Sequence, residues 1–244
     1  MTHKTKGIVL RCVKYGETSI IATVYTELFG IQSYMVKGIR KGTKKSPSKA
    51  NYFQPAAILE MEVYHNELKN IQFIKEYEWA VLYERIFFDV IRNAAASFIT
   101  ELLLHCLKQP EPDPQLFYLA EECLLAADKE SDTIAANISL YFILHFAMLS
   151  GFRMQGVCNA DTPILDLTEG IFIHDIPVHN ECLKDDEARF TYEIYNTENI
   201  KALEYVALNK SMRRHLLISY LKYLSLHIPD MGELKTISAL NEVL

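Results

Sequence analysis

Ala56-Ala57-Ile58-Leu59-Glu60-Met61-Glu62-Val63-Tyr64 is the stretch on which the fold of the first third of the chain turns. Ala57, Leu59, Met61 and Val63 alternate with Ile58, Glu60, Glu62 and Tyr64. A period of two describes a strand with one face turned into a core. Upstream, residues 6–15 (KGIVLRCVKY), 18–26 (TSIIATVYT) and 31–39 (IQSYMVKGI) are short runs rich in β-branched and apolar residues, punctuated by Gly16 and Phe29-Gly30. Downstream, residues 65–70 make a turn and residues 71–76 (IQFIKE) a fifth strand. Five short strands separated by turn signals predict a small closed or partly open barrel, with an SH3-like barrel as the competing all-β arrangement.

From Trp79 the texture changes. Residues 81–91 and 94–107 carry apolar side chains three and four apart, until Pro110, Pro112 and Pro114 halt the helical pattern. Residues 116–127 and 133–149 continue as helices, with Ser131 or Asp132 placed to cap the second. Residues 151–195 contain Gly151, Gly156, Pro163, Gly170 and Pro177 and two strand-like runs, which predicts a small non-helical insertion. Helical period returns over 199–208 and 211–226. The expected class is α+β, with an all-β barrel over residues 1–79 and an all-α domain over 80–244 that contains the insertion.

The chain has 244 residues, half of them hydrophobic, which is enough to bury a sizeable core. Five scattered cysteines without a Cys-x-x-Cys pair support neither a disulfide framework nor a thiol-redox site. The opening residues lack the apolar core of a signal peptide, and the longest apolar region, 134–149, is shorter than a bilayer span and interrupted by Asn137, Ser139 and His145. A soluble, cytoplasmic protein without membrane contact is expected.

The net charge of −6 conceals an asymmetry: residues 1–80 hold 12 Lys and Arg against 7 Asp and Glu, whereas residues 81–244 hold 13 against 24. A basic front attached to an acidic remainder points the front at a polyanion. Its most basic segment is residues 37–49, where Lys37, Arg40, Lys41, Lys44, Lys45 and Lys49 occur without any acidic residue. Gly38, Gly42 and Pro47 make it a loop, able to neutralise phosphates without reading bases; a solvated loop kept charged for solubility has the same composition. Tyr34, Tyr52 and Phe53 flank it as stacking or core aromatics. A second basic group, Lys210, Arg213 and Arg214, opens a helix against its dipole, where an anionic partner or the domain's own carboxylates offset the cost.

Within the insertion, Cys158-x-x-Asp161 and His179-x-x-Cys182 have the spacing of two halves of a tetrahedral zinc site. Asp161, Asp166 and His179 are the residues a hydrolase or transferase site there would use. No phosphate-cradling loop, dinucleotide fingerprint, Gly-x-Ser-x-Gly or His-Glu-x-x-His motif is present.

Several short motifs occur in an order that resembles the RecO family of bacterial recombination mediators. They are Lys6-Gly-Ile-Val-Leu-Arg11, Tyr15-Gly-Glu-Thr-Ser19, Tyr25-Thr-Glu-x-x-Gly30, Lys37-Gly-x-Arg-Lys41, Gln54-Pro55 and Ile58-Leu-Glu-Met-Glu-Val-Tyr64. The likeness implies an oligonucleotide/oligosaccharide-binding (OB) barrel packed on a helical domain. It also implies a non-enzymatic role in homologous recombination: binding single- and double-stranded DNA, annealing complementary strands, and loading RecA with RecR onto DNA covered by single-stranded DNA-binding protein (SSB). It carries DNA contact onto Arg11, Lys14, Lys37, Arg40, Lys41, Lys44, Lys45 and Lys49. Lys210, Arg213 and Arg214 become candidate receptors for the acidic SSB tail. Many relatives bind zinc through four cysteines in the insertion; here only Cys158 and Cys182 remain, with Asp161 and His179 in the other places, so a degenerate finger without cofactor is expected. An adaptor that binds acidic peptides without touching DNA is the alternative.

Overall fold

The computed structural model describes residues 2–39, 49–229 and 231–243, with the backbone alone at Lys49. Arg40, Lys41, Lys44 and Lys45, assigned above to DNA contact, lie outside the described residues. Five strands close a barrel in the order β1-β2-β3-β5-β4: β1 Thr2–Tyr15, β2 Ser19–Thr26, β3 Gly30–Val36, β4 Ile58–Tyr64 and β5 Gln72–Trp79. All neighbours are antiparallel except β3 and β5, which run parallel. This five-stranded OB-like arrangement is followed by a helical region, in agreement with the expected fold class.

β1 is long because it serves two partners: its first half pairs with β4 and its second with β2. A bulge between Val9 and Arg11 bends it between those tasks. Inside the barrel, Val9, Ala22, Val24, Tyr34, Leu59, Met61 and Val63 form one buried cluster. A 3-10 turn, Lys49–Phe53, drives Phe53 into the same core.

The chain divides into two compact units, one comprising residues 1–84 and 99–121, the other 85–98 and 122–244. The barrel unit therefore keeps a stretch the sequence assigned to the helices. Tyr25 stacks at a tilt on Phe117 and donates its hydroxyl to the Asp113 carbonyl, and Lys6 pairs with Glu121 at 2.8 Å.

Of the helices, α1 is Val90–Cys106, α2 Pro114–Lys129 and α3 Asp132–Leu149. The expected helix over 81–91 does not form. The Asp128 carboxylate takes the backbone N–H groups of Arg85 and Ile86, and the Asp89 side chain caps those of Ile91 and Arg92, so the helix starts at Val90. Ser131 caps α3 by accepting from Ile134 N. By length and composition α3 matches a membrane span, but residues 134–147 are all buried within the second unit, as in a core helix.

The insertion holds a three-stranded sheet, β6 Ile164–Asp166, β7 Ile171–Ile173 and β8 Cys182–Leu183, in the order β7-β6-β8. Its last eleven residues are helical rather than irregular: α4, Asp185–Tyr195, opens with Asp185, Asp186 and Glu187, all favourable to its dipole. Residues 200–205 form a 3-10 helix, then come α5, Lys210–His227, and α6, Thr236–Val243, a short helix not anticipated from the sequence.

Gly30 shows what the packing of the barrel unit demands. It has φ +61°, and a Cβ there would collide with the backbone of Glu111, its carbonyl oxygen first. Neither feature has a flexible side chain to give way. Gly30→Ala is expected to cost at least ~2 kcal/mol through backbone strain and overpacking, read as a lowered denaturation midpoint; an unchanged midpoint contradicts the tight approach.

Candidate nucleic-acid interface

Residues directly opposite in a sheet share a face, so the register sorts the barrel's outer surface into rows. Arg11 faces Thr23, which faces Ser33. Val13 faces Ile21, which faces Met35, which faces Phe73 across the parallel seam. The first row has an exposed cation at its end; the second is apolar and partly open to water, Val13 at 38% and Phe73 at 37%. Lys37 follows β3 and places its ammonium 5.4 Å from the Phe73 ring centre, a cation–π geometry. Arg11 and Lys37 thus bracket an apolar strip. Lys14 is exposed but has a different position: it pairs with Ile20, whose side chain points inward, so it stands on the rim of the barrel.

The first row leads into a groove of about 660 Å³, lined by Thr23, Ile31, Ser33, His65, Lys69 and Lys108 among others. The turn forming one wall is held by a buried amide. Gln72 accepts from Asn66 N and donates to the carbonyls of Asn66 and Lys69. His65 stacks on Phe29 at 4.0 Å and 13°, and His3 meets Phe29 edge-on. Burial holds the His65 imidazole below its ordinary pKa, with Glu67 opposing and His3 reinforcing the effect.

The neighbouring outer face has the opposite sign. Glu60 faces Glu78 and Glu62 faces Glu76 across β4 and β5. Lys6 and Lys4 oppose only the β4 members, and Lys75 reaches Glu62 at 2.9 Å. Like charges directly opposite repel one another and would repel phosphate as well.

Of the flanking aromatics, Tyr34 and Phe53 are core residues and only Tyr52 is half-buried. Sequence reasoning missed Val13, Phe73, Lys69 and Lys108. The one available signal was that alternation sets Phe73 opposite to Ile74 on a strand read as only six residues.

The second basic group is not a set of three free cations. Asn209 caps α5 by accepting from Met212 N. Arg213 turns inward and donates its Nε to the Oδ1 of Asn137, a fully buried amide whose Nδ2 in turn donates to Val206 O. Lys210 and Arg214 both donate to the carbonyl of Glu242, at the end of α6, where the negative end of that helix meets them. Arg213 thus commits its Nε to a buried amide while it remains half-buried, and the partners of the group are amide and carbonyl oxygens.

In the insertion, Asp166 accepts from Thr168 N and Glu169 N through Oδ1 and pairs with His179 at 3.3 Å through Oδ2. Asp161 instead offers its carbonyl to His174. Among the described residues no three His, Cys, Asp or Glu side chains gather as metal ligands, so Cys158, Asp161, His179 and Cys182 are not assembled into a site.

A closed five-stranded OB-like barrel, with an apolar strip between Arg11 and Lys37 and a helical unit after it, sets the class of protein by its fold. The comparisons name the family. Residues 1–83 match the family model described as Recombination protein O N terminal, and residues 88–235 match Recombination protein O C terminal. The chain belongs to the RecO family of DNA repair proteins. It is 30% identical to the DNA repair protein RecO of Christiangramia forsetii, over 100% of this chain and 99% of that one. It is 30% identical to that of Flavobacterium psychrophilum and 28% to that of Bacteroides fragilis, each across 100% of this chain and 99% of the relative.

The inward turn of Arg213 has a measurable consequence. Arg213→Ala leaves the Asn137 oxygen buried and unpaired, at about 1–3 kcal/mol, whereas Lys210→Ala, at an exposed position, is expected to change stability by less than about 0.5 kcal/mol. Chemical denaturation distinguishes them; equal effects contradict the assignment.

Proposed function

We infer that this RecO-family protein acts in homologous recombination by holding DNA strands through the barrel unit, annealing complementary strands and, together with RecR, helping to load RecA onto SSB-covered DNA. The observation that carries this is the strip Val13-Ile21-Met35-Phe73 bracketed by Arg11 and Lys37, in a chain whose next segment contributes five more cations and no acid.

The mechanism is electrostatic and geometric. Cations displace counterions from phosphates, which gives affinity with little sequence preference. An apolar strip beside them takes unpaired bases, whose faces are also apolar. The groove over Lys69 and Lys108 extends the same surface. Two strands neutralised at one surface no longer repel each other, which favours annealing. The acidic β4–β5 face turns backbones away and restricts the path. None of these steps makes or breaks a covalent bond, and they fit a cytoplasmic protein working at the nucleoid.

The acidic SSB tail is the partner proposed for the helical unit. Lys210, Arg213 and Arg214 are the proposed receptors, and the tail's carboxylates would compete with the Glu242 carbonyl and the Asn137 amide oxygen for them.

Fluorescence anisotropy of a labelled single strand, titrated at several salt concentrations, tests the reading. Replacing Lys41, Lys44 and Lys45 together by Ala is expected to weaken binding across all sequences. It should also flatten the log–log salt slope by about 2, at roughly 0.7 for each phosphate that is no longer neutralised. Unchanged affinity and slope remove the cationic segment from the mechanism. Absence of binding in dilute buffer, with capture of an acidic peptide, favours the adaptor instead.

A further inference from the structure

Four aromatic rings run from the centre of the barrel to its surface. Phe53, 1% exposed and part of the core cluster, meets Tyr77 edge-on at 4.9 Å and 70°. Tyr77 meets Tyr52 edge-on at 5.2 Å and 74°. Tyr52 stacks on Trp79 at 4.0 Å and 11°, and the indole is 38% exposed. Each ring is anchored by the one beneath it, and the backbone of Trp79 is fixed by pairing with Leu59 and by the Ala80 N–H donated to Ile58 O. A surface aromatic held this way loses little freedom when something stacks on it.

Its placement along the chain names the ligand. Tyr52 and Phe53 belong to the 3-10 turn that begins at Lys49, the last cation of the segment running from Lys37. Tyr52 thus adjoins in sequence a run of cations that attracts a polyanion. Trp79 pairs with Leu59, a core residue, so the indole lies on the side of β5 opposite to the Glu60–Glu78 row, and its flat apolar face suits the uncharged rings of the polymer. Bases stacked inside a duplex have no free face to offer.

We propose that Trp79, backed by Tyr52, is a stacking platform for an unpaired nucleobase and gives the protein a preference for single over double strands. The proposal rests on the DNA-binding reading above and adds a second contact point to it, distinct from the strip at Phe73. Stacking on an exposed, preorganised ring tolerates every base, in keeping with a protein that handles strands of any sequence.

Trp79 is the only tryptophan in the chain, so its fluorescence is a private signal. The full-length protein is titrated with a thymidine oligonucleotide while indole emission and oligonucleotide anisotropy are followed together. The expected result is quenching that saturates at the same concentration as the anisotropy, with little quenching by a duplex. Trp79→Ala should lose about tenfold in affinity for the single strand and leave duplex affinity unchanged. Trp79→Phe keeps a ring and should retain most of the affinity, which preserves the test if the Ala variant fails to fold. Anisotropy rising with constant emission, or a Trp79→Ala protein that binds as tightly as the parent, overturns the platform alone. Anisotropy that never rises overturns the DNA reading and the platform with it.

Discussion

The parallel pairing of β3 with β5 is the constraint on which the barrel's surface depends. It consists of two residue pairs, Tyr34 with Gln72 and Met35 with Phe73, against seven between β1 and β4. So short a seam needs help, and Gln72 supplies it. Its buried amide is satisfied on both sides by the turn of residues 66–69. An amide left unpaired there would cost about 1–3 kcal/mol, so the turn and the seam hold each other in place. Closure at this point sets Phe73 beside Met35 and under Lys37, and it fixes the wall of the groove that holds His65 and Lys69.

From that seam follows a barrel with two unlike outer faces. The face across β1, β2 and β3 offers apolar side chains between isolated cations, while the face across β4 and β5 sets glutamate against glutamate. Exposed apolar rows forfeit burial, and opposed carboxylates repel, an effect that Lys4, Lys6 and Lys75 offset on the β4 side. Under the function proposed above, their segregation would guide a polyanion with flat apolar bases along the first face and away from the second.

Much of this was legible in the residues. The alternation of Ala57, Leu59, Met61 and Val63 reports a half-buried strand because burial on one face leaves a period of two. Pro110, Pro112 and Pro114 mark a helix break because proline cannot donate to the helix ladder. What escaped depends on partners distant in sequence. Residues 81–89 have helical spacing, but the N–H groups of Arg85 and Ile86 go to Asp128 and the helix is capped only at Asp89. Arg213 reads as a surface cation until Asn137, 76 residues away, is found beneath it. Phe73 looks like any core phenylalanine until the seam with β3 turns it outward. In the insertion, the metal-like spacing is not accompanied by a gathering of three such side chains among the described residues, and His179 pairs with Asp166 rather than Asp161.

The claim that single strands lie on the face beside the β3–β5 seam is tested most directly by photocrosslinking. An oligonucleotide containing photoreactive thymine analogues is bound to the full-length protein, irradiated, and the adducts are mapped by mass spectrometry. Adducts at Met35, Lys37 and Phe73 are the expected outcome. Adducts confined to residues 122–244, or to the face bearing Glu60, Glu62, Glu76 and Glu78, contradict it.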